Sequence, residues 1–192
     1  MKYFINAVLI LLVTNSVFAQ EETKSFNAGL MFGLVGSQID GDQNVGYTKV
    51  GISTGIYTQF SLDKNWYLQL EMKYLQKGSR LADNKHRRYF KIKLDYVDIA
   101  LLPYFQYDKK WTFGAGLSYS YLVNARMEDS YGEIDPDKYG FFSSDYNIIG
   151  TVKYSLNEHW NLEARMAYSL WYITEHPRQF NNFITLHLIY LF

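Results

Sequence analysis

Apolar and polar residues alternate with a period of two along most of the chain, which is the pattern of β-strands and not of helices. In each alternating segment the apolar residues share one parity, while small, polar or charged residues occupy the other. The pattern predicts eight strands, at about 25–35, 48–61, 66–77, 90–106, 111–123, 145–156, 160–173 and 182–192. The sequence therefore predicts an all-β protein.

Three of the links between these strands are polar turns that end in a tryptophan. Trp66, Trp111 and Trp160 each open a strand, so we expect them at one level of the fold, and Trp favours the membrane–water interface. Aromatic residues towards the opposite strand ends are expected to form a second belt. They are Tyr74, Tyr119, Tyr121 and Tyr172. Trp171 also lies towards that end, but it has the inward parity, so capping the lumen of a barrel is the alternative to a place in the belt.

The lengths of the predicted links alternate along the chain. Short links are predicted at 62–65, 107–110 and 156–159, and longer ones at about 36–47, 78–89, 124–144 and 174–181. Outer-membrane barrels combine short periplasmic turns with long extracellular loops and have an apolar outside and a polar inside. The pattern therefore predicts an eight-stranded antiparallel up-and-down transmembrane β-barrel in the outer membrane of a Gram-negative bacterium.

The fourth predicted strand changes the parity of its apolar residues. Ile92 and Leu94 share one parity, whereas Val97 and Ile99 have the other. A β-bulge near residues 95–96 would restore a single outward face. Pro103 lacks a backbone N–H, so we expect it near the strand end or at a second bulge.

The first 19 residues have the pattern of a secretory signal peptide, and residues 20–192 are expected to form the barrel. Lys2 supplies the positive charge, residues 7–13 the apolar core, and residues 17–19 a cleavage site with a small residue at its end. The apolar run is short for a spanning helix, which favours cleavage over an uncleaved anchor.

Composition narrows the classes of function. The 192 residues include 18 Tyr and 13 Phe, and the formal net charge is zero, which argues against a nucleic-acid partner. The chain contains no cysteine, so disulfides, thiolate metal sites and thiol nucleophiles are excluded. We expect no metal and no cofactor.

Motifs in three strands carry a family resemblance. The last strand, residues 186–192, alternates towards Tyr190 and Phe192, while residues 96–104 read YVDIALLPY and residues 114–116 read GAG. Together they resemble the outer-membrane β-barrel family called PorT-like, which shares the architecture of OmpA/OmpX-type barrels. The resemblance covers about 21–192. It implies outer-membrane lipid and the barrel-assembly machinery as partners, the latter through Tyr190 and Phe192. It also implies an envelope protein partner, since the named member is similar to a secretion-system component.

Charged residues with the inward parity are the first candidate for chemistry. An eight-stranded barrel is filled by its own side chains, so the expected role is a paired interior network. A narrow proton or ion path, or a regulated plug, is the alternative. The set is Lys49, Glu71, Lys73, Asp98, Lys153, Glu163, Arg165 and His187.

Two predicted outer loops carry opposite charge. Lys85, Arg87 and Arg88 could bind lipopolysaccharide phosphates, since Arg forms bidentate contacts with phosphate, or could simply be hydrated. Residues 128–137 contain five acidic side chains, but their spacing does not match a Ca²⁺-binding loop. Contact between the two loops, or with a partner, is the alternative.

Catalysis is not expected. Some eight-stranded barrels modify lipid A with Ser, His and an acid near the outer leaflet, but no such pairing is evident, and a triad is recognised by geometry. The sequence favours a non-enzymatic outer-membrane protein that acts through its loops or within an envelope assembly. A small-solute or ion permeability role and a soluble lipocalin-like periplasmic binding protein are the alternatives.

Overall fold

A computed structural model describes residues 26–42, 46–83 and 88–192, without the side chains of 82, 83, 88, 89 and 138. Nearly all of this part of the chain is β-structure, with one 3-10 turn at Pro136–Tyr139. The strands are β1 (Phe26–Asp40), β2 (Lys49–Ser61), β3 (Trp66–Asp83), β4 (Arg88–Gln106), β5 (Trp111–Asp129), β6 (Gly132–Ile134), β7 (Ser144–Ser155), β8 (Trp160–Ser169) and β9 (Phe180–Leu191). The predicted signal peptide, 1–19, lies outside the described residues.

The eight long strands form one closed antiparallel sheet. Consecutive long strands are neighbours, β4 pairs with β5, and β1 pairs with β9 to close the barrel. The closing register sets Gly29 opposite Leu191 and Asp40 opposite Phe180. Short β6 pairs only with the upper part of β5. The predicted eight-stranded up-and-down barrel is confirmed.

Side chains alternate between a polar inside and an apolar outside. On β2, for example, Val50 is 71% exposed and Ile52 49% exposed, whereas Ser53 is 1% exposed. A face of exposed aliphatic residues around the whole barrel is unfavourable in water and favourable against lipid. Within the described residues, no helix is long and apolar enough to cross a membrane.

Each of the three Trp turns joins two strands at the same end of the barrel, which we call the turn end. The backbone N–H of Leu62, Tyr107 and Leu156 donates to the carbonyl of the following Trp66, Trp111 and Trp160 at 2.8, 3.0 and 2.9 Å. The opposite end is the loop end. Three copies of one turn therefore start three strands at the same level.

Three strands continue well past the length that a bilayer requires. A transmembrane strand needs about 9–11 residues, whereas β3, β4 and β5 have 18, 19 and 19. The predicted loop at 78–89 is therefore wrong, since Gly78–Asp83 pair with Arg88–Lys93 and leave only 84–87 as a link. We call residues 76–83, 88–95, 124–129 and β6 the protruding sheet.

A bulge lies at the predicted level, 95–96, but on β5, so the prediction of a bulge within the fourth strand was wrong. The β4–β5 register shifts between Asp95 and Tyr96, and the unpaired residue is Val123 on β5. On β4 the inward parity is unbroken: Ile92, Leu94 and Tyr96 are as buried as the inward residues below them. The apolar residues change face because, beyond the membrane, the interior and not the outside is apolar.

Two details near strand ends also differ from or refine the predictions. β8 ends at Ser169, and Trp171 is 60% exposed, so it does not cap the lumen. Ile173 is the buried residue of that segment. Pro103 lies three residues before the end of β4 and pairs with Leu68 of β3, near the strand end as expected.

Candidate functional site

The lumen contains an ionic network at mid-height. Three of its pairs are directly opposite each other in the sheet: Lys73 with Asp98, Lys153 with Glu163, and Glu163 with His187. Their closest N···O distances are 2.5, 3.7 and 3.5 Å. Strand register alone therefore brings these charges together.

Arg165 joins the opposite walls of the lumen. Its guanidinium donates two hydrogen bonds to Glu71 of β3, at 2.8 and 2.7 Å, and contacts Glu163 at 2.6 Å. Lys73 donates to the second Glu71 oxygen at 2.9 Å. All of these side chains are at most 2% exposed, so the network is dry as well as paired.

Neutral residues that the sequence analysis missed complete this layer. Tyr104 donates to Glu163 at 3.0 Å, and Gln69 donates to Glu71 at 2.7 Å while accepting from Lys153 at 2.6 Å. The Lys153 ammonium also lies 3.8 Å from the centre of the Tyr104 ring. Inward parity was the signal that could have found them, but aromatic residues were assigned to the outer belts.

A second polar cluster lies nearer the loop end. Lys77 donates to Asp145 at 2.8 Å and to Ser120 at 3.1 Å, and Asn181 and Ser169 also donate to Asp145, at 2.8 and 2.7 Å. Lys77 and Asp145 are the terminal residues of the predicted strands 66–77 and 145–156, and for this reason they were not included among the predicted interior charges. The cluster continues the paired interior upwards.

Above this cluster the interior becomes apolar. Six side chains from four segments pack together, and each is at most 1% exposed. This apolar cap fills the barrel beneath the protruding sheet. Its residues are Ile39, Ile92, Leu94, Tyr96, Met127 and Ile173.

At the turn end the lumen opens as a polar cup of about 530 Å³. Tyr67 and Lys153 line it, and Tyr67 stacks on Tyr104 with ring centroids 5.0 Å apart. The cup ends at the network, of which Lys153 and Tyr104 are members. Together with the apolar cap, the network leaves a filled lumen in place of an aqueous channel.

Ser53, His187 and Glu163 are arranged like a hydrolase triad. His187 Nε2 lies 2.9 Å from the Ser53 hydroxyl, and its Nδ1 lies 3.5 Å from Glu163. Ser53 is 1% exposed and His187 0% exposed. A substrate therefore has no access to the hydroxyl, and the arrangement serves as part of the interior network.

Lys49 has the inward parity of the network residues and was predicted to join them, but it is not part of the network. It is the first residue of β2, at the loop end, and its Nζ has no hydrogen-bond partner among the described residues. The other seven predicted residues are joined as described above. The charged groups that act electrostatically on Lys49 are Asp95, Lys93 and Lys91, which have outward positions on β4.

The predicted Trp belt lies on the outside at the turn end. Each Trp is directly opposite an aromatic residue of the next strand: Trp66 packs on Phe105 at 5.1 Å and Trp111 on Tyr154 at 4.8 Å. The third, Trp160, packs on Tyr190 at 4.9 Å. Tyr74, Tyr119 and Tyr121 lie on outward positions towards the loop end, and Tyr172 packs on Phe142 and Trp171 beyond β8.

Asx turns shape two of the three Trp turns in the same way. Asp108 Oδ1 accepts from the backbone N–H of Lys110 and Trp111 at 2.7 and 2.6 Å. Asn157 accepts the equivalent bonds from His159 and Trp160. The Trp111 and Lys110 amides stabilise the carboxylate, which lowers the pKa of Asp108 below its usual value.

The remaining predicted residues are the basic group Lys85, Arg87 and Arg88 and the aromatic pair Tyr190 and Phe192. Lys85 and Arg87 lie outside the described residues, and of Arg88 only the backbone is described, at the start of β4. Tyr190 is half-buried, and Phe192 is 69% exposed beside it. Among the described residues no cluster of acidic or His side chains is arranged for a metal.

The comparisons with known proteins agree with this architecture. The family model for the outer membrane protein beta-barrel domain matches residues 18–175. The chain belongs to this family. Outer membrane protein beta-barrel domains reside in the outer membrane, so the predicted localisation in Gram-negative bacteria is confirmed and the soluble lipocalin-like alternative is wrong.

Solved structures show the same fold at low identity. Ail, the attachment invasion locus protein of Yersinia pestis, has a TM-score of 0.54 at 11% identity, covering 88% of this chain and 99% of Ail. Neisserial surface protein A has a TM-score of 0.51 at 14% identity, covering 88% of this chain and 99% of that protein. The search of curated proteins found no match. With the turns of such barrels in the periplasm, the loop end faces the cell exterior.

Proposed function

We propose that this chain is a non-enzymatic outer-membrane protein that acts through its protruding sheet, as a recognition surface within an envelope assembly. The observation that supports this most is the extension of β3, β4 and β5 past the bilayer over the apolar cap. A sheet with its own packed core holds a fixed outer surface. The PorT-like resemblance supports a role as an assembly subunit.

The outer surface of the protruding sheet is mainly basic. Arg80 of β3 lies opposite Lys91 of β4, and Lys93 of β4 lies opposite Arg126 of β5, so two pairs of like charge stand on neighbouring strands. Glu128 pairs with Lys91 at 3.4 Å. We call residues 84–88, where the chain passes from β3 to β4, the hairpin tip, and we propose that its basic residues Lys85, Arg87 and Arg88 contact lipopolysaccharide phosphates.

The permeability alternative has less support. Transport needs a continuous water path, whereas the lumen contains paired charges at most a few per cent exposed, closed above by the apolar cap. An eight-stranded barrel is just wide enough for its side chains. The filled lumen therefore favours a role at the surface.

Affinity capture with a shortened hairpin tests the recognition role. Ser79 lies directly opposite Ile92, so replacing residues 80–91 with Asn-Gly closes the hairpin without changing its register. Wild-type protein in mild detergent from native outer membranes should retain a stoichiometric partner that the shortened protein loses. Lys109→Gln, at the turn end, is the matched control and should retain it.

Two outcomes of this capture would contradict the proposal. One is recovery of the same partner by the shortened protein; the other is recovery of the wild-type barrel alone after chemical crosslinking. A heat-induced shift on gels shows whether each variant is folded, so that loss of the partner is not loss of the barrel.

We also propose that the barrel-assembly machinery recognises the last strand through Tyr190 and Phe192. The exposure of Phe192 at the turn end supports this, since an exposed terminal aromatic residue is available for contact. Phe192→Ala should slow assembly in cells while leaving refolding into lipid vesicles unchanged. Equal assembly rates in cells would argue against the signal.

A further inference from the structure

Lys49 carries a buried ammonium group that has no partner. The side chain is 4% exposed, and its Nζ makes neither a hydrogen bond nor an ion pair within the described part of the chain. Burying an unpaired charge is costly, and buried charges in proteins are usually paired. The position of this ammonium therefore needs an explanation that the lumen network does not supply.

The ammonium is enclosed where β2 meets the protruding sheet. Thr48 donates to the carbonyl of Arg80, which fixes the end of β2 against β3. A Cβ at Gly51 would lie 2.4 Å from the Gln76 carbonyl oxygen and 3.0 Å from Lys49 Nζ. Only glycine allows this close approach, which leaves the ammonium over Gly51 beside β3.

The surrounding charges are predominantly positive. Lys93, Lys91 and Asp95 of β4 are the charged groups that act electrostatically on Lys49, and Gln76 lies between Asp95 and Gly51. Both Asp95 oxygens are already used: Gln76 donates to one at 3.1 Å, and Asn124 donates to the other at 2.9 Å. Lys93 lies 3.7 Å from that second oxygen. Because Lys91 pairs with Glu128 at 3.4 Å, the ammonium groups of Lys49 and Lys93 are left with one carboxylate, that of Asp95.

The level of this cluster identifies the chemistry that is available there. Val50, next to Lys49, is 71% exposed on the outward apolar face. Lys49 therefore lies at the outer boundary of the apolar band, where the phosphate groups of outer-leaflet lipids lie. Lys93 is 29% exposed and opens the cluster to that layer.

We propose that Lys49, at the start of β2, and Lys93, on the outward side of β4, together bind a phosphate group of an outer-leaflet lipid. A phosphate monoester carries about 1.5–2 negative charges at neutral pH, which matches the excess of ammonium groups. The flexible lysine stem lets Nζ turn towards the phosphate. This site goes beyond the recognition role proposed for the hairpin tip and does not depend on a protein partner.

Lipid binding to purified, folded barrel tests the site. Lipid A and its dephosphorylated form are added in non-ionic detergent, and the bound fraction is measured by native mass spectrometry. Wild-type protein should bind lipid A at least about tenfold more tightly than the double variant Lys49→Met/Lys93→Met, because two charge-assisted contacts are lost. Lys109→Met/Lys110→Met, at the turn end, removes the same charge and should bind as wild type does.

A further experiment distinguishes a lipid phosphate from inorganic phosphate as the ligand of this site. Inorganic phosphate alone is added up to millimolar concentration, and the thermal unfolding of wild type and the double variant is compared. No shift with inorganic phosphate, together with lipid A binding that needs Lys49 and Lys93, supports the lipid site. The lipid is not the source of the phosphate if inorganic phosphate shifts the thermal unfolding of wild type but not of the double variant, while lipid A binds no more tightly than its dephosphorylated form. Equal lipid A binding by wild type and the double variant overturns the site itself, and the hairpin capture experiment is unaffected by either result.

Discussion

Arg165 and Glu71 join opposite walls of the barrel through two parallel hydrogen bonds of 2.8 and 2.7 Å. Their strands, β8 and β3, are not neighbours in the sheet, so this bond crosses the lumen. Sheet hydrogen bonds fix each strand to the next, whereas this pair fixes the cross-section of the barrel. The interior is thus held by contacts that no local pairing provides.

Breaking this pair from one side should be strongly destabilising. Glu71→Gln leaves the Arg165 guanidinium buried with a missing counter-charge, and removing one partner of such a pair costs about 3–5 kcal/mol. Glu71→Gln/Arg165→Met should cost less than the sum of the single changes, since no unpaired charge from this pair remains. Urea unfolding in lipid vesicles measures both. Additive effects of the two single variants would show that the pair does not act as a unit.

Because the lumen is filled, we expect that the barrel conducts no ions. Wild-type protein in planar bilayers should give no steady channel current, and Arg165→Ala should not create one, because the apolar cap remains above the network. Currents recorded with matched amounts of detergent alone provide the baseline. Reproducible single-channel steps that change with Arg165→Ala or Lys153→Ala would instead establish a permeability role.

Period-two alternation was sufficient to predict the barrel, and the same parity identified most of the lumen charges. Glu71, Arg165 and Glu163 were identified because side chains fill the interior of a narrow barrel, so charged residues with the inward parity are expected to lie close together there. Which residue pairs with which could not be predicted, because a bond across the lumen depends on shear and strand tilt. Glu71 with Arg165 is such a bond, whereas Lys73 opposite Asp98 follows from register.

The protruding sheet could not be predicted, because its pattern is opposite to that of the membrane band. Ile92 and Leu94 face inward there, so the alternation was interpreted as a phase change within β4. Alternation alone does not show which face of a strand is exposed to water. The unpartnered Lys49 shows the same limit, since its parity is inward although the charged groups that act on it, Asp95, Lys93 and Lys91, have outward positions on β4.

The three turn tryptophans should report the same membrane depth. Trp66, Trp111 and Trp160 occupy equivalent turn positions and pack on cross-strand aromatic residues. In single-Trp variants, brominated lipids should quench all three with the same depth profile, centred on the interface. Trp171, beyond β8 at the other end, serves as the comparison and should be reached only from the opposite leaflet. Different depths for the three would contradict the girdle.

Asp108 gives one turn a pH dependence that its neutral counterpart lacks. Its pKa is lowered in the folded state, so its contribution to stability is present above the unfolded-state value near 3.8 and is lost as the pH falls through the lower folded value. Asp108→Asn retains an acceptor, as Asn157 does in the equivalent turn. The difference in unfolding free energy between wild type and Asp108→Asn should therefore change below about pH 4 and stay constant above pH 6. A constant difference down to pH 2 would contradict it.

Gly78 lies where β3 leaves β2 and enters the protruding sheet. Its φ is +136°, and a Cβ there would lie 2.1 Å from the Ile92 carbonyl oxygen. Gly132 has the same φ with no atom within 4 Å of its Cβ position, which makes it a matched control. Gly132→Ala should cost about 1–2 kcal/mol through the backbone alone, and Gly78→Ala more, because the Ile92 carbonyl must also move. Hydrogen exchange should then be faster in 76–83 and 88–95 of Gly78→Ala but unchanged in β7 and β8, whereas equal exchange in the two variants would show that the contact with Ile92 does not hold the protruding sheet.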